Sequence, residues 1–481
     1  MKKLKSWQWV VFAVSLFLMF FNQVLPCFDG LSRMGMSILC ITIGSLLLMV
    51  CVDMKWGPLL CVLAFPVNDV YSLSQAMSMS FGNTTVIFCL FNTMLLYVLK
   101  KTGVLQRIAI WLITRPITRK SPWAFISIFW AVTLYFGAFI NVTACTVLFL
   151  TLSIEILSSM GYTKEDRTAQ LFMLGTMFGC ALSFGLTPIG HPSPLTAIGL
   201  FSEFVDVSIM KYSVVGLVMG IPALAVFVLL MKYVYKLDVS RFQDFDPESL
   251  IKDRTAMGKD EKISLAVFVG VVILWLLPDI VKNSLPTIYT FVNKMGILTP
   301  AILGCVILCL VRVNGKPIMD MMDSLRNGAE WGAVFIMLAA MTLTSAIGNT
   351  EAGLSTWMSE KLAPVFGSMA PFMFVFVMSV LCIVITNFTS CTVAVTVPAA
   401  IALPLIASGA VTGVNMGAFC VTIGVTQALA FMTPPAGTVA AVTTGFGWIP
   451  AKSMFKDGAI FSVIFGILLT CGVYYFGCLF F

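Results

Sequence analysis

Charge is what this sequence has least of. Asp, Glu, Lys and Arg make up 11% of its 481 residues, whereas an average soluble domain carries about a quarter. So little charge cannot cover a water-exposed surface of this size, which excludes a soluble enzyme and a nucleic-acid reader. One histidine occurs, His191, and there is no Cys-x-x-Cys pair, so the pattern holds no His/Cys metal centre. The phosphate-binding Gly-x-x-x-x-Gly-Lys-Ser/Thr loop is missing as well, and ATP-driven pumping goes with it. The expectation is a non-enzyme with no organic cofactor, whose work is driven by a gradient.

What is present is apolar sequence, 59% of the chain. A helix needs about 20 apolar residues to cross a bilayer. Crossings are expected at about 7–25, 34–52, 57–71, 84–100, 169–201, 212–236, 263–281, 297–312, 330–347, 416–447 and 459–480. Two further stretches, 122–158 and 368–408, are too long for one helix and carry polar residues at their centres. Each is read as a re-entrant hairpin that enters and leaves on one side. The fold class is therefore an all-α polytopic membrane protein, with about 11 transmembrane helices plus two hairpins. The 14 cysteines lie singly in apolar runs and read as small core residues.

The basic residues test this topology. With the N-terminus cytoplasmic and the C-terminus outside, 24 of the 29 Lys and Arg residues fall on the cytoplasmic side, as the positive-inside rule requires. The net charge of +7 then reports orientation in a plasma (inner) membrane rather than an anionic macromolecular partner. Counting either hairpin as a crossing would destroy the asymmetry.

The chain also repeats itself. Asn141-Val142-Thr143-Ala144-Cys145-Thr146-Val147 recurs as Asn387-Phe388-Thr389-Ser390-Cys391-Thr392-Val393, at an offset of 246. Gly190-His191-Pro192-Ser193-Pro194 is matched to Met432-Thr433-Pro434-Pro435-Ala436, at an offset of 242. With the topology above, the two halves are inverted repeats: a span at 1–33, a first repeat at 34–237, a cytoplasmic linker at 238–262 and a second repeat at 263–481. This plan is common among secondary transporters. Both motifs interrupt apolar segments, and irregular backbone survives at membrane depth only when buried in protein or lining water. Helix N-termini at such breaks suit an anion, and freed carbonyls suit a small cation. Segments 368–408 and 416–447 contain no charged residue, which favours an anionic cargo over a cation exchanged for protons.

At these motifs the chain resembles the divalent anion/sodium symporter (DASS) family of di- and tricarboxylate carriers. Thr386-Asn387-Phe388-Thr389-Ser390-Cys391-Thr392 looks like that family's T-E-F-T-S-N-T tip, and Ala144-Cys145-Thr146 is its first-half counterpart. Thr433-Pro434-Pro435 resembles the T-P-P-N turn, and Gly447-Trp448-Ile449 with Met454 to Gly458 resembles the closing segment. The resemblance implies a homodimer working by an elevator movement, with sodium as the coupling ion and a small anion as substrate. It implies substrate contacts at Cys145, Thr146, Cys391 and Thr392, with His191, Thr433 and Pro434 beside them. Cation contacts are implied at Asn141, Gly190, Thr386, Asn387 and Met432.

The sequence departs from the family where the motif asparagine is Cys145 in one half and Cys391 in the other. A thiol is a weak donor and a poor sodium ligand. Asn141 and Asn387, four residues earlier in each half, are the amides placed to replace them. His191 has two readings: a proton-coupling or anion-contacting group, or a neutral imidazole that satisfies a helix break. The rival functions are a cation/proton antiporter, an anion exchanger, a channel and a membrane enzyme.

Overall fold

The computed structural model describes residues 5–53, 56–243, 245–247, 256–282, 284–347, 349–433 and 436–481. Helices dominate it. The chain begins with α1 (Ser6–Phe20), α2 (Arg33–Cys51), α3 (Gly57–Val67), α4 (Leu73–Ser80), α5 (Thr84–Thr102) and α6 (Val104–Ile113). A first block follows: α7 (Pro122–Gly137), α8 (Val142–Ser159), α9 (Arg167–Leu186), α10 (Pro192–Phe201) and α11 (Ile209–Leu229). Next come α12 (Lys259–Val281), α13 (Pro286–Met295), α14 (Leu298–Leu310), α15 (Met321–Asp323), α16 (Trp331–Ile347) and α17 (Leu354–Phe366). The second block is α18 (Pro371–Phe388), α19 (Cys391–Ala407), α20 (Met416–Thr426), α21 (Thr438–Phe446) and α22 (Ala451–Gly477). Among the described residues the sole sheet is one antiparallel turn, Arg312–Val313 with Lys316–Pro317.

Seven of these helices are long and apolar enough to cross a membrane, and two bent pairs could raise that to nine. The remaining apolar stretches are divided into shorter helices. The expected spans 169–201 and 416–447 each split in two, at 187–191 and 427–437. Proline supplies the physical reason, because it removes an N–H and clashes with the preceding turn. The expected linker also starts later than 238. Phe242 is buried there, with its ring 6.4 Å from Phe125 and 6.0 Å from Tyr162, so this stretch belongs to the packed protein.

That aromatic cluster shows how the first hairpin is built. Phe125 lies near its beginning and Tyr162 just past its end, and both meet Phe242. The hairpin therefore returns to the side it left. The second one does the same: a Cβ on Gly413, beyond its end, would lie 3.1 Å from Pro371 at its beginning.

The two blocks interlock. The second part of each broken helix packs on the hairpin of the other block: α10 lies against α19 and α20, and α21 lies against α8 and α9. A separate small core joins α2 and α3 to α16 and α17. Water contributes little driving force between helices in lipid, so close approach through small residues matters more. The core helix α9, 94% buried over its apolar window, seats Gly175 directly on the Trp130 indole. Nine of the fourteen cysteines are buried and all are free thiols, in keeping with a packing role.

At Gly216 an added Cβ would lie 2.2 Å from the Leu186 carbonyl oxygen, where α9 ends. Gly216→Ala should destabilise the protein by about 1–3 kcal/mol through overpacking, seen as a lower Tm in detergent. Gly270→Ala, where nothing lies within 4 Å, should leave Tm unchanged or raise it. The hairpin topology is tested by single cysteines in a background lacking exposed Cys27. Ser121→Cys and Thr163→Cys should react with a membrane-impermeant reagent from one face, and Ser368→Cys and Thr412→Cys from the other. Labelling of Ser121→Cys and Thr163→Cys from opposite faces would make 122–158 a crossing.

Candidate functional site

The first hairpin tip is the turn between α7 and α8. Asn141 caps α8: its Oδ1 accepts from the N–H groups of Thr143 at 3.0 Å and Ala144 at 3.2 Å. Its Nδ2 donates to Glu330 Oε1 at 2.5 Å, reaching the residue just before α16. The broken helix crosses the same turn. The Thr187 hydroxyl donates to the Ala138 carbonyl, and Gly190 fits so closely that a Cβ there would lie 2.8 Å and 3.0 Å from the Ala138 and Ile140 carbonyl oxygens. From α5, Asn92 Nδ2 donates to the Ile189 carbonyl at 2.8 Å. Asn92 is 2% exposed, and its Oδ1 is buried with no partner.

The second tip is built around Asn387, which is fully buried. Its Oδ1 accepts from the Phe431 and Met432 N–H groups at 3.1 and 2.9 Å. Its Nδ2 donates to the Ile383 and Leu429 carbonyls, both at 2.8 Å. Asn387 thus ties the hairpin to the stretch after α20, and the Thr433 hydroxyl returns a bond to the Asn387 carbonyl. Thr386 donates to the Gln427 carbonyl at 2.7 Å and lies 3.5 Å from Cys391 Sγ. The Cys391 thiol faces the Ala436 carbonyl at 3.8 Å. Gln427 Oε1 is buried without a partner.

The halves meet where the Ser193 and Thr392 hydroxyls lie 3.3 Å apart. His191 caps α10 by accepting the Ser193 N–H on Nδ1 at 3.2 Å, and its ring lies 4.7 Å from that of Phe184. His191 and Thr392 are therefore joined through Ser193, a residue the sequence reading did not select. Around this junction Thr143, His191, Thr389, Ser390, Met432, Thr433 and Gly437 are half-buried, and Thr438 is exposed. Ser390 caps α19 through Thr392 N–H at 3.3 Å, whereas α21 begins after Gly437 with no side-chain cap. The cluster offers neutral hydroxyls and free backbone N–H groups, the donors that suit an anion at a helix N-terminus.

Several expectations change in detail. Thr187-Pro188 repeats as Thr433-Pro434 at the motif's own offset of 246, and both threonines donate to a carbonyl of their tip, though to non-equivalent ones, Ala138 and Asn387. His191 then corresponds to Gly437 and Gly190 to Ala436, rather than to Thr433 and Met432. Cys145 is fully buried, and its Sγ turns into the packing of α7 and α9, 3.8 Å from the Thr133 carbonyl and 3.9 Å from Cys180 Sγ. Thr146 is also fully buried and bonds the Val142 carbonyl within its own helix at 2.7 Å. Pro434 lies outside the described residues. Glu330, Asn92 and Gln427 were not selected from sequence, since only the fold carries them to the tips.

Two clefts border these helices, and one of them reaches the first tip. One of about 310 Å³ runs from Lys100, Gln106 and Glu155 to Ile140 and Ala144 at the first tip. The other, about 280 Å³, lies between α19 and the α16–α17 region, with Glu203, Thr344, Asn349 and Ser408 in its lining.

Comparison with known proteins agrees with this architecture. An uncharacterized transporter of Methanocaldococcus jannaschii is 23% identical over 343 residues, 70% of each chain. The L-tartrate/succinate antiporter of Escherichia coli K12 is 25% identical over 322 residues, which span 65% of this chain and 58% of the antiporter. Among solved structures, the YdaH transporter of Alcanivorax borkumensis superposes with a TM-score of 0.56 at 13% identity, over 83% of this chain and 86% of that one. MtrF of Neisseria gonorrhoeae gives a TM-score of 0.56 at 12% identity, over 84% of each chain. At such identities these two structures speak for the fold. The family described as "Sodium:sulfate symporter transmembrane region" matches residues 4–481, and the chain belongs to that family of membrane transporters.

Proposed function

We propose that the protein is a secondary active transporter of small dicarboxylates, coupled to a monovalent cation and working by alternating access. The observation that carries this reading is the junction of the two blocks. Ser193 and Thr392 meet there, and α21 begins without a side-chain cap. A dianion held this way is stabilised by helix ends and released without breaking an ion pair. The L-tartrate/succinate antiporter, at 25% identity, directs the choice of substrate toward four-carbon dicarboxylates.

In this reading the substrate contacts are Thr392, Ser193, His191, Cys391 and Thr433, and the cation sites lie at the two tips around Asn141, Gly190, Thr386, Asn387 and Met432. The hairpins, broken helices, α11 and α22 move together against a scaffold containing α2, α3, α16 and α17, an elevator in a homodimer. The N-terminus is cytoplasmic. One observation favours a second reading, cation/proton antiport: Glu330 places a carboxylate at the first tip, where such exchangers need an acid.

Uptake of labelled succinate into proteoliposomes separates these readings. Concentrative uptake that requires an inward sodium gradient supports the symporter. Uptake that needs only internal succinate or tartrate makes it an exchanger. Sodium movement against a proton gradient with no anion transported overturns the proposal in favour of the antiporter. Thr392→Val should raise KM for succinate about tenfold, the effect of one lost hydrogen bond of ~1.4 kcal/mol, with little change in Tm. Thr433→Val should instead lower Tm, because the Asn387 carbonyl is left without its donor at a cost of about 1–3 kcal/mol.

A further inference from the structure

Between Asp69 and Glu155 the chain has no acidic residue, yet it carries Lys100, Lys101, Arg107, Arg115, Arg119 and Lys120. These six lie at the end of α5, in α6 and around the short turn Pro116–Arg119 that leads to the first hairpin. Two of them are bonded within the protein, Lys101 to Asp323 and Arg107 to Glu261. Arg115 is held differently. Its guanidinium lies 3.4 Å from the centre of the Trp111 ring, and its Nε donates to the Trp111 carbonyl at 3.0 Å. Among the described residues no carboxylate pairs with Arg115, so a cation fixed in place keeps its terminal N–H groups for another partner.

The apolar neighbours select the kind of partner. α6 buries Val104, Leu105, Ala109 and Ile113, whereas Trp111 is 55% exposed and Ile117 in the turn is exposed as well. The same combination recurs where α7 begins. Lys232, just past α11, lies 5.7 Å from the Trp123 ring and 5.4 Å from that of Tyr233, itself 63% exposed. The turn packs on α7, so both groups gather at the base of the first hairpin. A soluble anion would call for the cations alone. Cations set among exposed rings are the pattern of a bilayer surface, where indoles sit at headgroup depth and Lys and Arg reach the phosphates. An arginine lying on a ring also suits a phosphodiester, because its planar fork can still bond two oxygens at once.

We propose that this face binds the headgroup of an anionic phospholipid, with Arg115, Lys120 and Lys232 on the phosphate and Trp111, Ile117 and Trp123 against the glycerol and upper acyl chains. The occupant belongs to the membrane in which the protein sits. Its position gives it a consequence. α6 and the turn join α5 to the hairpin that begins at Pro122, and Arg107 ties α6 to the start of α12 through Glu261. A headgroup bound there fixes the entry of the hairpin at the bilayer surface, and lipid composition then sets the rate at which the hairpin carries cargo. The lipid site holds whatever the cargo is; the effect on rate rests on the reading of the protein as a carrier.

The test titrates the purified full chain in detergent with phosphatidylglycerol, phosphatidylcholine or inorganic phosphate while Tm is followed. Wild type should gain Tm with phosphatidylglycerol alone, as binding to the native state requires, and the gain should shrink in high salt. Arg115→Gln, Lys120→Gln and Lys232→Gln combined should raise the phosphatidylglycerol midpoint by at least about tenfold, since basic groups near an anionic lipid act together. Lys294→Gln with Lys361→Gln, two exposed lysines elsewhere, should match wild type. In proteoliposomes wild type should take up succinate several-fold faster when phosphatidylglycerol is added to phosphatidylcholine, and the triple variant should run at one rate in both membranes. A triple variant with the wild-type midpoint overturns the proposal, as does an equal Tm gain from phosphatidylcholine. An equal gain from inorganic phosphate makes this a site for soluble anions and overturns it too. If the triple variant is not recovered folded, a wild-type midpoint for Arg115→Gln alone overturns it equally. Wild-type uptake at one rate in both membranes overturns the effect on rate. A lipid-dependent Tm without uptake of any anion upholds the lipid site and fails the carrier reading instead.

Discussion

The structure depends on one constraint: a backbone interrupted within a bilayer must find its hydrogen bonds inside the protein. The two blocks contain four such interruptions among the described residues, two hairpin tips and two broken helices, and these are solved in pairs. At each tip a threonine from the broken helix of the same block donates its hydroxyl to a tip carbonyl, Thr187 to Ala138 and Thr433 to Asn387. The asparagines divide their amides similarly between helix ends. Asn141 caps α8 and reaches Glu330, while Asn387 spans from its hairpin to Phe431 and Met432. A break satisfied by side chains can stay irregular, and irregular backbone is what presents N–H and C=O groups to a cargo.

From this follows the interlocking of the blocks. The second part of each broken helix leaves its own block and packs on the other hairpin, α10 on α19 and α21 on α8. The exchange welds the two into one body and brings Ser193 of the first block against Thr392 of the second. Glycines permit the approach: Gly185 sits on the Val425 carbonyl and Gly424 on the Tyr212 hydroxyl. A second, smaller core joins α2, α3, α16 and α17 and also takes in Val393 of α19.

Much of this was legible in the chain because it is written in periodicity. The 246-residue repeat, the two overlong apolar stretches and the Lys/Arg asymmetry are local patterns, and the hairpins follow from them. The register of the broken helices was not legible in the same way. Gly190-His191-Pro192 draws the eye in the first block, but the bond to the tip is made by Thr187, three residues earlier. Cys145 and Cys391 occupy equal places in the motif, yet only Cys391 faces the loop after its break, while Cys145 packs beside Cys180. Side-chain direction at such a position depends on the neighbouring helix, which no motif encodes. Glu330 is 189 residues from Asn141, and in sequence it was simply the first residue of an expected span.

Glu330 also breaks the symmetry that the motifs suggest. Two equivalent tips would offer two equivalent sites, and a neutral pair would hold an anion between two helix ends. Here the first helix end is closed by Asn141, whose Oδ1 takes both the Thr143 and Ala144 N–H groups, and it is backed by a carboxylate. The start of α21 stays uncapped beside hydroxyls alone. The two tips therefore differ in charge and in capping, although one repeated motif builds both.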